Sequence, residues 1–174
     1  DQGADVIKVE VPGLGDHTRS VGAHREGFST SFLNINRSKR SITLDLKKTE
    51  GKATLKRLAA TADVFIQNFR PGVVERLGIG YDDIREVAPK IVYISMSGFG
   101  ERGPLAQKPV YDPIIQAISG LTTVQAGADV ERPRLVRTIL PDTLTAVYAS
   151  QAVTAALLSR EKTGAGQHVR LSML

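Results

Sequence analysis

The stretch ILPDTLTAVYASQAVTAALLSR, residues 139–160, has no charged side chain from Thr143 to Ser159, yet it opens on one carboxylate, Asp142. A segment this apolar on most of its circumference reads as a buried helix whose N-terminus lies inside the protein or at the floor of a cleft. Two roles for Asp142 stay open. As an N-cap it accepts bonds from the orphan amides of the first turn, with Pro141 marking the boundary by pushing Leu140 out of the helical region. As a nucleophile it is a half-buried carboxylate kept ionised by the helix dipole and the free amides, poorly solvated and therefore reactive.

Two further stretches carry chemistry. In QNFRPGVVERLG (67–78) a strand ends at Asn68-Phe69-Arg70, Pro71-Gly72 turns the chain and a helix begins. Ligands of α/β sheets bind outside the carboxyl ends of strands, and free amides with Arg70 and Arg76 close by suit a phosphate. The alternative is an ordinary strand-to-helix turn with solvated arginines. GFGERG (98–103) matches the dinucleotide fingerprint, but that motif works only when a helix starts at once. Pro104 and Pro109 follow instead, so a loop is expected. The densest basic run, NRSKRS (36–41), lacks the aromatic interleaving that stacks bases, so no nucleic-acid partner is expected.

The elements that must position these residues alternate. ADVIKVE (4–10), RSITLDL (40–46), ADVFIQNF (62–69) and KIVYISMSGFG (90–100) read as strands, the last two with the near-continuous apolar runs of strands buried on both faces. Helical patterns fall at 49–62, 72–78, 81–89, 112–121 and after Asp142, and QHVRLSML (167–174) reads as a closing strand. This order predicts an α/β fold: a mostly parallel, Rossmann-like sheet covered by helices. The chain enters and leaves on strands, which leads us to expect a piece of a longer protein.

At 174 residues the chain is long enough for one domain with a core. No run reaches the eighteen or so apolar residues of a membrane span, no signal peptide is visible, and the expected location is the cytoplasm. Zero cysteines exclude disulfides and thiolate chemistry, and His17, His24 and His168 are too scattered to suggest a metal site. The net charge of +5 fits an anionic partner such as a phosphorylated small molecule.

In combination, GADVIKVEVPGLGDHTR, NRSKRSITLDLKKTEGK, ADVFIQNFRPGVVERLGIGYDDI, IVYISMSGFGERGP, YDPIIQAISGL and REKTGAGQHVRLSML resemble, in order and spacing, the class III CoA-transferases, the family of formyl-CoA transferase and carnitine CoA-transferase. The resemblance covers essentially the whole chain. It implies that residues 1–174 are part of the large CoA-binding α/β domain, roughly the first half of a family member, incomplete relative to the family domain. It further implies that Asp142 is the catalytic aspartate, passing CoA between an acyl-CoA thioester and a small carboxylic acid through a covalent aspartyl intermediate. The family's coenzyme A contacts fall on Leu44, Asp45, Leu46 and Lys47, on Asn68, Phe69 and Arg70, on Arg76, and on Tyr111 and Asp112. Members form interlocked homodimers. Val11 stands where several members carry an arginine that touches CoA.

Two other activities compete. An α-methylacyl-CoA racemase shares the fold and uses the matching aspartate beside a histidine, but the histidine position corresponds to Tyr111, a poor base at neutral pH. A non-catalytic CoA-binding module is the alternative from another class.

Overall fold

The computed structural model describes residues 2–128 and 131–174, which divide into two compact units, Asp1–Leu55 and Lys56–Leu174.

The first unit is built on a parallel pair, β1 (Val6–Glu10) with β4 (Lys39–Thr43), in register from Val6 opposite Lys39 to Glu10 opposite Thr43. Between them lie a 3₁₀ turn (His17–Ser20), a short antiparallel hairpin of β2 (His24–Arg25) and β3 (Phe28–Ser29), and α1 (Thr30–Ile35). The turn, hairpin and α1 have too few residues to show a period, so no periodic pattern announces them. Glu10 explains how this excursion is held. Its carboxylate is 7% exposed and accepts from Arg19 Nε at 2.9 Å and Nη2 at 3.0 Å, from Ser41 Oγ at 2.9 Å and from the Asp16 amide at 2.8 Å. The Arg19 bonds hold its pKa below the ordinary carboxylate value, against the opposing effect of burial. The Arg19 guanidinium lies 3.9 Å from the centroid of the Phe32 ring, so one cation ties β1 to α1. α2 (Thr49–Ala59) follows and runs across the division.

The second unit carries a parallel sheet in the order β5 (Val64–Gln67), β6 (Val92–Ser97), β7 (Gln167–Ser172). Its helices are α3 (Val73–Leu77), α4 (Tyr81–Val87), α5 (Asp112–Ile118), α6 (Leu121–Ala126) and α7 (Leu140–Thr163). Side chains of a strand alternate between faces. Accordingly Val92 and Ile94, both fully buried, pack with Ala156 of α7, joined by Val64, Met96, Val153, Leu157, Val169 and Leu171. Tyr93 points the other way, stacks on Phe65 at 4.9 Å and donates its hydroxyl to the Ile79 carbonyl at 3.0 Å. Burying each such aliphatic side chain contributes about 1.5–3 kcal/mol, which makes β6 the spine of the unit.

The α/β class and the parallel pairing agree with the sequence pattern, with three differences. The strands form separate ladders, β1–β4 and β5–β6–β7. β6 is buried on both faces, whereas β5 is an edge strand with Ile66 54% exposed, and its apolar run reflects β propensity as much as burial. The third difference is α7. It begins at Leu140, with Pro141 in its first turn, where a missing N–H removes no helical bond. Leu144, Val147, Tyr148 and Leu158 are exposed, so the helix is uncharged without being buried all round. Its hydroxyls are satisfied by its own backbone: Thr143 donates to Ile139, Thr145 to Pro141 and Thr154 to Ser150.

Candidate active site

Beyond the carboxyl end of β5 the chain turns through Asn68, Phe69 and Arg70, all exposed. The turn is fixed from the sheet. Gln67 Oε1 accepts the Phe69 amide at 2.8 Å, and Gln67 Nε2 donates to Ser95 Oγ at 2.9 Å on β6. Ser95 Oγ lies 2.8 Å from His168 Nε2 on β7, so a hydrogen-bonded row crosses all three strands to reach the loop. Gly72, at φ +82°, lets the chain enter α3 in the left-handed region that favours glycine. A cavity of about 290 Å³ opens here, lined among others by Phe69, Arg70, Gly72, Ser95 and Gln107.

The helix end expected to offer free amides here does not do so at Val73: α3 is only five residues long and the Val73 amide is already bonded to the Arg70 carbonyl at 3.1 Å. Among the described residues the guanidiniums of Arg70 and Arg76 have no ion-pair or hydrogen-bond partner, which leaves them free for an anion. Arg70 lines the cavity; Arg76, one turn along, does not. GFGERG is a loop as expected, and Gly98 is required there because a Cβ would collide with Val110.

Asp142 stands in the first turn of α7, two residues past the helix start, and is not its N-cap. The cap residue is Ile139, with no side-chain bond, so the capping role expected of Asp142 falls elsewhere. Asp112, 3% exposed at the start of α5, accepts the Asp142 amide on Oδ2 at 3.1 Å. The Asp142 carboxylate itself is exposed and has no hydrogen-bond partner among the described residues. Packed atoms around it remove part of its hydration, and with the nearby charge of Asp112 they raise its pKa above the ordinary 3.8. This opposes the lowering expected from the helix N-terminus.

The other expected contacts are distributed. Leu44, Asp45, Leu46 and Lys47 lie in the first unit, in the turn from β4 into α2, where Asp45 Oδ1 accepts the Lys47 amide at 3.0 Å. Tyr111, 76% exposed, is the N-cap residue of α5. The second unit thus brings Phe69 and Arg70 to one cavity and Asp112 to Asp142, but Asp142 does not line that cavity. Sequence reasoning missed Gln67, Ser95, His168 and Gln116, which hold these residues in place. Among the described residues no cluster of His, Cys, Asp or Glu could hold a metal ion, and no helix is long and apolar enough to cross a membrane.

Fold and site together define an α/β protein with an arginine-bordered cleft beyond the carboxyl end of a parallel strand and, opening a long helix, a carboxylate without a partner among the described residues. The chain belongs to CoA-transferase family III, whose model matches residues 1–174. It is 42% identical over 177 residues to the human succinyl-CoA:glutarate CoA-transferase, covering all of this chain and 40% of that protein. It is 42% identical to the acetyl-CoA:oxalate CoA-transferase of Acetobacter aceti, covering 99% of this chain and 44% of that one. A crystal structure of a CAIB/BAIF family protein from Brucella suis superposes with a TM-score of 0.90 at 39% identity, over 97% of this chain and 46% of the other. The chain therefore spans less than half the length of these relatives.

Proposed function

We propose that this chain supplies the CoA-binding and nucleophilic part of an enzyme that moves CoA between an acyl-CoA thioester and a carboxylic acid. One observation carries the reading: the Asp142 backbone is pinned by Asp112 while its carboxylate is exposed and has no hydrogen-bond partner among the described residues. A carboxylate with no competing partner, and a pKa raised by desolvation, is a better nucleophile than a solvated or capping one.

In the proposed reaction an Asp142 oxygen attacks the thioester carbonyl, the C–S bond breaks, and CoA leaves as thiolate from a mixed anhydride. The thiolate then attacks the Asp142 carbonyl, releasing the first acid as carboxylate and leaving an aspartyl-CoA thioester. The acceptor carboxylate attacks that thioester, expelling CoA thiolate and forming a second anhydride. Attack of the thiolate on the acceptor carbonyl yields the new acyl-CoA and restores the Asp142 carboxylate. No proton or electron is gained overall, and each hard exchange becomes two easier ones.

CoA phosphates are assigned to Arg70 and Arg76, and Phe69, 43% exposed beside them, offers a face for the adenine or the pantetheine arm. Leu44 to Lys47, Asn68, Tyr111 and Asp112 complete the contacts proposed from the resemblance. An interlocked homodimer is part of the same proposal, supported by the exposed Leu144, Val147, Tyr148 and Leu158 of α7.

Asp142→Asn, made at the matched position of a full-length relative, tests the reading. The amide keeps the shape, so a fold close to wild type is expected with CoA exchange reduced to background. Exchange near the wild-type rate would overturn the proposal.

A further inference from the structure

The first amides of an α-helix have no carbonyl one turn back, and the Ile139 cap of α7 supplies no side-chain acceptor. The acceptor for Asp142 comes from another helix. Asp112 Oδ2 takes its N–H at 3.1 Å, while Asp112 Oδ1 accepts from Gln116 Nε2 at 2.6 Å, one turn along α5. Gln116 is 1% exposed. The same amide nitrogen reaches the Thr138 carbonyl at 3.1 Å and, more weakly, the Val136 carbonyl at 3.4 Å; Gln116 Oε1 accepts the Val136 N–H at 2.8 Å. Every polar atom of this buried side chain is thus engaged either with Asp112 or with the backbone that leads into Asp142. Unpaired, a buried carboxylate and amide would be heavily penalised; paired throughout, they rigidify what they touch.

We propose that Gln116 and Asp112 are positioning residues, a buried clamp on α5 that fixes the backbone at Val136, Thr138 and Asp142 and so sets where the Asp142 carboxylate stands. The proposal rests on the reading of Asp142 as nucleophile and adds two residues that act through it. The clamp has a polarity: amide donor on residue 116, carboxylate acceptor on residue 112. Gln116→Glu keeps the shape and the acceptor for Val136 but sets oxygen against oxygen at Asp112 and at Thr138. Asp112→Asn keeps an acceptor for the Asp142 amide only by turning its own NH₂ toward that of Gln116. Combining the two restores one donor and one acceptor in reversed order: the amide introduced at position 112 donates to the carboxylate introduced at position 116 and still accepts from Asp142.

Two measurements test the clamp. In this chain, hydrogen exchange of the Asp142 amide by NMR should show protection in the wild type that falls about tenfold or more in Gln116→Glu, since the amide has no acceptor within its helix. In a full-length relative with matched substitutions, each single variant should lower kcat about a hundredfold, the scale for a misplacement near 1 Å, with the KM for acyl-CoA little changed in Gln116→Glu, since Gln116 is not among the proposed CoA contacts. The double variant should recover part of the loss, the repulsion at the Thr138 carbonyl remaining. An unprotected Asp142 amide in the folded wild-type chain, or wild-type kcat in both folded single variants, would overturn the clamp. So would losses of kcat, KM and melting temperature in parallel with no recovery in the double variant, the mark of a merely structural role. Asp142→Asn separates the two ideas: if it stays active the nucleophile reading fails, while protection of the residue 142 amide and its loss in Gln116→Glu still report the clamp.

Discussion

Replacing Arg70 by alanine is expected to weaken CoA binding more than replacing Arg76, and the structure sets both sizes. Neither guanidinium has a partner among the described residues, so a bound phosphate displaces no existing ion pair. A hydrogen bond to a charged group contributes about 1.5–3 kcal/mol net. Arg70 lines the 290 Å³ cavity but is exposed, which places it at the lower end of that range. We therefore expect about 1.5–2 kcal/mol for Arg70→Ala, roughly a 10- to 30-fold rise in Kd. Arg76 lies outside the cavity lining, and an exposed, longer-range charge is worth about 0.2–1 kcal/mol, at most a few-fold. Calorimetric titration of CoA into a full-length relative with matched substitutions gives both values. Repeating it at about 0.1 M and 1 M salt, over which the screening length falls from about 10 to 3 Å, should shrink both losses. Unchanged affinity in both variants, or a larger loss at Arg76 than at Arg70, would refute the assignment of the cavity to the nucleotide.

Three further outcomes are expected. Tyr93→Phe leaves the Ile79 carbonyl without its 3.0 Å donor in the buried core, which should destabilise the fold by about 1–3 kcal/mol in denaturant titration. Burial, reinforced by Arg170, holds the His168 pKa below the ordinary 6.5 despite Glu101, Asp82 and Glu75. The unfolded chain then takes up the proton first, so stability is lost as pH falls through 6.5 toward the lower folded value; His168→Gln should flatten the melting-temperature slope over that window. Asp142 has the opposite linkage, because a raised carboxyl pKa makes the ionised form a burden to the fold above it. Asp142→Asn should melt at or slightly above wild type at neutral pH, with the difference closing as pH falls toward 3.8.

The elements that position the site were legible wherever a long apolar period or a turn signal marked them. IVYIS announced β6, and the uncharged run after Asp142 announced α7. What the run could not disclose was exposure: Thr143, Thr145 and Thr154 return their hydroxyls to the helix backbone, so an uncharged helix needs no polar partner and need not be buried. ADVFIQNF reads as a two-sided strand because Val, Phe and Ile favour any pleated surface, and only the ladder shows that β5 is an edge. Asp142 was visible as a carboxylate at a helix start, but the acceptor that holds its amide is Asp112, thirty residues earlier in the chain. The spacing of Asp112 and Gln116 at i and i+4 on an otherwise apolar helix is the sequence signal of a paired buried amide. Gln67, Ser95 and His168 come together only through strand register, which no local pattern encodes.

The proposed covalent role of Asp142 is tested most directly by trapping. A full-length relative incubated with acyl-CoA is quenched with hydroxylamine or borohydride, and the peptide matching Pro141 to Arg160 is sequenced by mass spectrometry. A hydroxamate or reduced side chain is expected at the position of Asp142, formed only when acyl-CoA is present and absent from the Asp142→Asn variant. Ongoing CoA exchange with that peptide unmodified, or with the label on another residue, would contradict it.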